Sequence, residues 1–168
     1  SIFILTGLAF VFMYAGSLQY EIISKYILNS QGSSQPYLMY VGLILLIAGF
    51  ATKSGAVPFH SWLPDAHQSA DTAISVLLSG IVIKVAGVYG IIILSNLFSS
   101  IPGVNMTFLV IGTISIIVGA LLALMQNHFK RIVAYSSVSQ VGYMLLGVGA
   151  GSTLGLLGTV THIFNHAT

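Results

Sequence analysis

The sequence predicts an all-α membrane protein, built as a polytopic bundle of about six transmembrane helices. Three observations predict this fold class. Only 5% of the 168 residues are Lys, Arg, Asp or Glu, whereas an ordinary soluble domain carries about 25%. Hydrophobic residues make up 56% of the chain, and its mean hydropathy is +0.98. The apolar residues lie in runs of about 20, which is the length that a helix needs to cross a bilayer.

Six segments have the length and composition of spanning helices, and the last is the shortest. The run at 41–50 shows none of the alternation that a membrane β-barrel strand requires, so that architecture is excluded. We expect a single membrane domain over residues 1–168. Because the sequence starts without Met inside an apolar segment, we also expect it to be an internal piece of a longer protein. The predicted segments are residues 2–20, 37–54, 73–96, 104–126, 132–149 and 153–168.

The connections predict how the chain is oriented in the membrane. The link at 127–131 contains Lys130 and Arg131, the densest positive charge in the chain. The positive-inside rule places this link in the cytoplasm, and the 67–72 connection then lies on the same side. The connections predicted on the outer side are a polar loop at 21–36 and short turns at 97–103 and 150–152.

Composition also excludes several classes of function. The chain has no cysteine, so disulfides, thiolate metal sites and iron–sulfur ligation are excluded. A net charge of +2 is too small for a nucleic-acid-binding surface. No phosphate-binding loop, dinucleotide fingerprint, haem ligation pattern or catalytic triad is present. We therefore expect no cofactor, no metal, no nucleic-acid partner and no redox centre in this chain.

The second segment ends in an unusual way. Lys53 is followed by Ser, Gly and Ala, and Pro58 can occupy the first turn of a new helix because its missing N–H is unpaired there. Residues 37–67 therefore predict either one long helix broken near Lys53 or a helix that ends at the interface, with Lys53 as its anchor. A broken helix within a membrane lines protein or a wet cavity and marks ion sites in transporters.

Lys84 is the strongest single signal in the sequence. It lies about eleven residues into its apolar segment, or roughly 16 Å along a helix, which is close to the bilayer centre. An ionisable residue at this depth indicates function. Lys84 is therefore a candidate proton relay, since desolvation brings a lysine into the range of proton exchange at neutral pH. The alternative is a structural ion pair with a carboxylate elsewhere in the protein.

His162 and His166 are one helical turn apart and share a face. The zinc protease motif needs His-Glu-x-x-His, but Ile, Phe and Asn stand between these two histidines, which disfavours a metal site. A proton relay through imidazoles suits their natural pKa of about 6.5 better. Ordinary hydrogen-bonded histidines of the helix packing remain the alternative.

Other polar residues lie in apolar surroundings. His60 and His67 are seven residues apart and share a face if 57–67 is helical. Ser139, Gln140 and Tyr143 lie on the fifth segment, where they can hold water or neighbouring backbone. Ordinary helix packing is the alternative for each of them.

Four runs of the sequence resemble one family, in the order in which the family has them. The family comprises the antiporter-like subunits of respiratory complex I, of energy-converting membrane-bound hydrogenases and of multisubunit Na⁺/H⁺ antiporters. Residues 53–67 resemble its signature, Lys-Ser-Gly-Ala-Val-Pro-Phe-His-Ser-Trp-Leu-Pro-Asp-Ala-His. The other three runs are the Lys84 helix at 78–90, the Lys-Arg run at 130–143 and the histidine run at 161–167.

The resemblance implies a fold of about fourteen helices with two inverted five-helix repeats, of which this chain would hold roughly the sixth to the eleventh. It implies that Lys53 lies at the break of a discontinuous helix and pairs with a glutamate outside this sequence. It assigns Lys84 to the central proton relay, and His162 and His166 to the link with the second half-channel. The family usually has Ala-Pro where Ala70 and Asp71 stand, so this sequence departs from the pattern there.

The function implied is translocation of protons, with Na⁺ as a second candidate ion, by the antiporter-like subunit of a redox-driven complex. NADH:quinone oxidoreductase and membrane-bound hydrogenase are complexes of this kind. The alternatives are a multisubunit Na⁺/H⁺ antiporter without redox activity and an inert membrane scaffold. The expected partners are other membrane subunits of the same complex and the lipid bilayer. The expected location is the cytoplasmic (inner) membrane of a prokaryote.

Overall fold

A computed structural model describes residues 2–29, 36–101 and 103–167, and the regular secondary structure in these ranges is entirely helical. We number the helices in chain order. They are α1 (Ile2–Ala15), α2 (Tyr20–Asn29), α3 (Pro36–Ser54), α4 (Trp62–Ser69), α5 (Thr72–Leu97), α6 (Val104–Leu124), α7 (Phe129–Gly149) and α8 (Thr153–Ala167).

Four of these helices, α3, α5, α6 and α7, are long and apolar enough to cross a membrane. Helices α1 and α2 pass the same test together but meet at an angle of 65°, so they count as a fifth span only as a bent pair. The predicted first segment, 2–20, is interrupted because the backbone turns at Gly16, whose φ is +69°. Helix α8 has 15 residues, fewer than a full span. The prediction of about six spans therefore becomes four or five in the described residues.

The predicted loop at 21–36 is wrong over its first half, which forms helix α2. Ile23 and Ile27 lie one turn apart and are both buried, so the segment is amphipathic. Glu21 in the first turn interacts favourably with the positive end of the helix dipole. Residues 30–35 of the predicted loop lie outside the described residues.

Glycines allow the closest helix contacts of the bundle. Between α6 and α7, a Cβ at Gly142 would lie 2.7 Å from the carbonyl oxygen of Gly112, and a Cβ at Gly112 would lie 2.8 Å from that of Gly142. Between α1 and α3, a Cβ at Gly7 would lie 2.9 Å from the carbonyl oxygen of Gly42. Small residues at these positions let the backbones touch, as is typical of helices packed in membranes.

The helical backbone breaks directly after Lys53 and Ser54. Gly55 has a φ of +71°, and residues 55–61 lead into the short helix α4. Two hydrogen bonds fix this break: Trp62 Nε1 donates to the Thr52 carbonyl at 2.8 Å, and the backbone N–H of Val57 donates to Ser115 Oγ at 3.0 Å. The break near Lys53 is therefore a built feature of the fold, although α4 lies outside the four candidate spans.

Helix α5 is irregular in its middle. Residues 78–82 and 84–88 have π-helical hydrogen bonding, in which the N–H of Ile83 reaches the carbonyl of Leu78 and that of Tyr89 reaches the carbonyl of Lys84. Such wide turns occur often at functional sites. The helix still begins at Thr72, directly after the extended backbone of Asp71, so the departure from Ala-Pro does not prevent a sharp start.

Candidate functional site

Lys84 lies at the midpoint of the 26-residue helix α5 and is 2% exposed. Its ammonium group donates to the carbonyl oxygen of Ser79 on its own helix. The Ser79 hydroxyl lies 3.1 Å from the hydroxyl of Ser137 on α7. No carboxylate of the described residues forms an ion pair with Lys84, since their ion pair is Asp65 with Arg131. Lys84 is thus a buried amine that bonds a backbone carbonyl instead of a carboxylate of the described residues.

His162 and His166 share one face of α8, as their spacing predicts, with ring centroids 6.3 Å apart. His162 Nε2 lies 2.8 Å from Gln140 Oε1, and the Tyr143 ring meets the imidazole edge-on at 6.2 Å. His166 lines the same cavity as Ser79, whose carbonyl oxygen accepts from the Lys84 amine. Helix α8 packs against α5 here, since a Cβ at Gly80 would lie 3.5 Å from the Ala167 carbonyl oxygen. We refer to Lys84, His166 and His162, on these two contacting helices, as one row.

A cavity of about 290 Å³, with both polar and apolar lining, adjoins this row. Serine hydroxyls and two histidines make up its polar lining. Among the atoms of the described residues, His67 Nε2 and His166 Nδ1 are buried without a hydrogen-bond partner. The cavity lies between α4, α5, α7 and α8, and its polar residues are His67, Ser75, Ser79, Ser136, Ser137 and His166.

His67 of α4 lines one side of this cavity. It is 1% exposed, and its Nδ1 lies 2.5 Å from the hydroxyl of Ser75 on α5. Burial lowers the pKa of the His67 imidazole below its usual value, because a charged ring loses more hydration than a neutral one. His67 is therefore kept as a neutral hydrogen-bonding group at neutral pH.

Lys53 is placed differently from the other predicted site residues. Its side chain is exposed in the last turn of α3, and it forms no ion pair within the described residues. Its neighbour Ser54 is fully buried against α5, where a Cβ at Gly87 would lie 2.6 Å from the Ser54 backbone nitrogen. The end of α3 thus packs on the Lys84 helix, while Lys53 itself does not join the row of Lys84, His166 and His162.

The polar hydroxyls of the site were not singled out from the sequence. Ser75 and Ser79 are one turn apart on α5, and Ser137 lies three residues before Gln140 on α7. The sequence feature that marks these hydroxyls is a set of polar residues at helical spacing inside apolar segments. That signal is weak, because serine also bonds its own helix backbone, as Ser137 does to the Val133 carbonyl.

The positively charged residues at the start of α7 contact the segment that follows the break after α3. Arg131 pairs with Asp65 at 2.5 Å, and Lys130 Nζ donates to the Ala70 carbonyl at 2.7 Å. Both residues belong to the first turn of α7 rather than to the predicted link at 127–131, because the helix begins at Phe129. They hold α4 and the start of α5 against α7.

The described residues contain no group of three His, Cys, Asp or Glu side chains that could hold a metal ion. His162 faces an amide and an aromatic ring, and a His pair needs further anionic or imidazole ligands to bind zinc. The chemistry that this set of side chains supports is hydrogen bonding and proton exchange.

Comparison with known proteins gives consistent results. The family described as "NADH:quinone oxidoreductase/Mrp antiporter, TM" matches residues 1–168. NADH-quinone oxidoreductase subunit N of Ruthia magnifica subsp. Calyptogena magnifica is 36% identical over 155 residues, covering 90% of this chain and 32% of that protein. NAD(P)H-quinone oxidoreductase subunit 5 from the chloroplast of Phaseolus vulgaris is 36% identical over 167 residues, covering 98% of this chain and 22% of that protein.

Two solved structures share the fold. A chain of the membrane-bound sulfane sulfur reductase (MBS), an archaeal respiratory membrane complex, superposes with a TM-score of 0.85 at 32% identity, covering 98% of this chain and 34% of that one. A chain of the Mrp complex from Dietzia sp. DQ12-45-1b superposes with a TM-score of 0.86 at 25% identity, covering 99% and 30%. The sequence spans about a third or less of each of these relatives. It belongs to the NADH:quinone oxidoreductase/Mrp antiporter transmembrane family, the family that its motifs resemble.

Proposed function

We propose that this chain moves protons across a membrane as part of the antiporter-like subunit of a redox-driven complex. The observation that carries the proposal is the burial of Lys84 at the midpoint of a spanning helix, where its amine contacts Ser79 of the cavity that His166 also lines, without a carboxylate partner in the described residues. A buried charge without a counter-ion is costly, so the ammonium group is poised to release its proton. Lys84 is the central relay of this proposal.

His166 and His162 continue the relay. Each imidazole can take up a proton on one ring nitrogen and release one from the other. The 6.3 Å between their ring centroids is a distance that one water can bridge. Lys53 has a separate role in the proposal: its exposed side chain at the break after α3 is available to pair with a carboxylate from another part of the protein.

The relatives support a redox-driven complex. Those named above are subunits of NADH-quinone and NAD(P)H-quinone oxidoreductases, and the MBS complex is a respiratory reductase. We propose that electron transfer occurs in other subunits and that this chain carries ions only. The alternative, an Na⁺/H⁺ antiporter without redox activity, has partial support from the likeness to a chain of the Mrp complex, whose TM-score is 0.86.

We further propose a setting for the chain. It is one membrane domain that packs against other membrane subunits, in the cytoplasmic (inner) membrane of a prokaryote. The start of α7, with Lys130 and Arg131, faces the cytoplasm by the positive-inside rule. Na⁺ remains a second candidate ion, and measuring translocation with and without Na⁺ in the same vesicles separates the two ions.

The test is Lys84→Met in the full-length protein, within its assembled complex in sealed vesicles. Methionine keeps most of the side-chain volume but carries no exchangeable proton. We expect proton translocation to fall at least about tenfold while the complex still assembles. Lys25→Met is the matched control, because Lys25 is exposed on α2 far along the chain from the row, and it should translocate normally. Normal translocation by assembled Lys84→Met would contradict the proposal.

A further inference from the structure

We propose that Asp71 collects protons for this chain, taking them up from the cytoplasmic water and passing them into the cavity of about 290 Å³. The inference rests on the proposed function, because it names the group that supplies protons to the row of Lys84, His166 and His162. It goes beyond that function because Asp71 stands where the resembled family usually has proline, so the family pattern assigns it no role.

Asp71 is an exposed carboxylate at the start of α5. It lies directly before the helix, does not cap it with its side chain, and forms no ion pair within the described residues. The chain has two other acidic residues. Glu21 is on α2, in the segment predicted on the outer side, and Asp65 is paired with Arg131. Asp71 is therefore the acid at this end of the described protein whose carboxylate is free to exchange protons with water.

The residues of α5 that line the cavity begin one helical turn after Asp71. Ser75 and Ser79 follow Asp71 at intervals of four residues, so the three residues share one face, and both serines line the cavity. One turn advances about 5.4 Å along a helix, a distance that one water can bridge. The carboxylate thus lies at the start of a series of hydroxyls that leads into the cavity.

The lining of the cavity indicates that it holds water. His67 is 1% exposed, and its Nε2 is buried without a hydrogen-bond partner in the described residues. His166 Nδ1 is buried in the same way. Both histidines line the cavity together with serine hydroxyls, and a cavity of this volume has room for several waters that would bond these groups. Such waters join the entrance at Asp71 to the ring of His166.

The charges around Asp71 explain why a carboxylate is useful at this place. Lys130 Nζ donates to the carbonyl of Ala70, so an ammonium group lies beside the residue that precedes Asp71. A lone positive charge repels protons that arrive from water. Arg131 is balanced by Asp65, and the Asp71 carboxylate offsets the charge of Lys130.

Each proton makes two transfers that balance in charge. In the first, a hydronium ion or a buffer acid gives its proton to the Asp71 carboxylate, whose charge changes from −1 to 0. In the second, Asp71 gives that proton through the cavity water to His166 Nδ1, which is an acceptor when the proton of the neutral ring is on Nε2. Asp71 returns to −1 and the ring becomes +1. The ring returns to zero by passing a proton along the row to a neutral neighbour, the Lys84 amine or the His162 imidazole.

The supply of protons becomes limiting at alkaline pH. Encounter at the diffusion limit, roughly 10⁹–10¹⁰ M⁻¹ s⁻¹, delivers about 10–100 protons per second to one acceptor at pH 8. Many enzymes turn over at roughly 1–1,000 s⁻¹, so this supply can be slower than the relay. An exposed carboxylate raises the supply, because it attracts protons and holds them beside the cavity.

The test is Asp71→Asn in the full-length protein, within its assembled complex in sealed vesicles, at two pH values on the side of Lys130 and Arg131. Asparagine also suits the position before a helix but cannot take up a proton as a carboxylate does. We expect translocation to fall about fivefold at pH 8 but less than about twofold at pH 6, where protons are plentiful. Glu21→Gln makes the same chemical change on α2 and should leave translocation unchanged at both pH values.

Asp71→Pro is a second variant without the carboxylate, and the backbone at this position suits it. Asp71 has φ −60° and ψ 154°, and Ala70 before it is extended, as a residue before proline prefers to be. We therefore expect Asp71→Pro to assemble and to show the same loss at pH 8 as Asp71→Asn. If Asp71→Asn fails to assemble, Asp71→Pro decides by itself.

Rescue by a mobile buffer separates proton collection from packing. Imidazole at high concentration carries protons to the entrance of the cavity without a fixed carboxylate, so it should restore both variants at pH 8 to within about twofold of the wild type. A defect of packing would not respond to the buffer and would persist at pH 6. The charged and titratable groups around Asp71 are unchanged in both variants: Asp65 and His67 of α4, Lys130 and Arg131 of α7, His166 of α8 and Lys84 of α5 itself.

The outcomes distinguish the inference from the function on which it rests. Wild-type translocation by both Asp71 variants at pH 8 would overturn the inference, and so would a loss that is equal at pH 6 and pH 8 or that imidazole does not restore. If Lys84→Met abolishes translocation in the same vesicles, the relay stands and only the role of Asp71 is rejected. If Lys84→Met also translocates normally, the proposed function itself fails.

Discussion

Individual polar groups of this protein differ in how deeply they are buried and in which partners stabilise them. Lys84 is buried with a backbone carbonyl and nearby hydroxyls instead of a counter-ion, which stabilises an ammonium group only in part. His67 is almost completely buried and bonds a serine hydroxyl. Asp65 and Arg131, by contrast, form their ion pair where both side chains are partly exposed, and such a pair contributes little to stability.

His67 gives a prediction at the residue scale. Its folded-state pKa is lowered by burial, so below about pH 6.5 the unfolded chain binds a proton that the folded chain does not. Stability is therefore present above pH 6.5 and is lost as the pH falls, by at most about 1.4 kcal/mol per pH unit. We expect His67→Gln, whose amide can still bond Ser75, to weaken this dependence in thermal unfolding between pH 8 and pH 5.

His128→Gln is the matched control for that measurement. His128 is exposed just before α7, so its replacement should leave the pH dependence of unfolding as it is in the wild type. An equal effect of the two substitutions, or none from His67→Gln, would show that His67 is not held neutral by the fold.

At the scale of helices, close backbone contact fixes how the elements of the site face one another. Gly112 and Gly142 bring α6 and α7 together, and α7 in turn presents Ser137 to α5 and Gln140 to α8. The break after α3 is held by α6 through Ser115 and by the indole of Trp62. Helix α7 is therefore the central element, since α5, α6 and α8 all contact it.

Gly142→Ala tests this contact. The new Cβ would lie 2.7 Å from the backbone oxygen of Gly112, which cannot rotate away, so we expect a loss of about 1–3 kcal/mol in stability and a lower unfolding temperature. Gly158→Ala on α8 is the control: nothing lies within 4 Å of its Cβ, and alanine favours a helix over glycine. A Gly142→Ala protein as stable as Gly158→Ala would show that α6 and α7 do not pack as closely as described.

Some of the helices can be predicted from the sequence and others cannot. Apolar runs located α3, α5, α6 and α7, because length and composition alone decide whether a helix can span. The bend between α1 and α2 depends on one glycine, and the helical start of 21–36 buries two isoleucines one turn apart. The π-helical turns of α5 have no sequence signature, since they depend on how α5 packs.

At the scale of the whole molecule, the polar residues form one region although they are far apart in sequence. Lys84 and the two histidines could be named from hydropathy and spacing, and the family resemblance covers all of them. The hydroxyls and His67 around the 290 Å³ cavity could not be placed from the sequence, because four helices meet there. Lys53 could be placed at a break, but the direction of its side chain depends on the packing of α3 against α5.

In the proposed relay, Lys84 contributes its proton and not merely its charge. Lys84→Arg separates the two, because arginine keeps the positive charge but does not release its proton near neutral pH. The measurement is proton translocation by the assembled complex in sealed vesicles, with Lys25→Arg as the control. We expect Lys84→Arg to assemble yet to translocate at least about tenfold more slowly than the control. Translocation by Lys84→Arg at the rate of the control would contradict it, since a structural charge would then be sufficient.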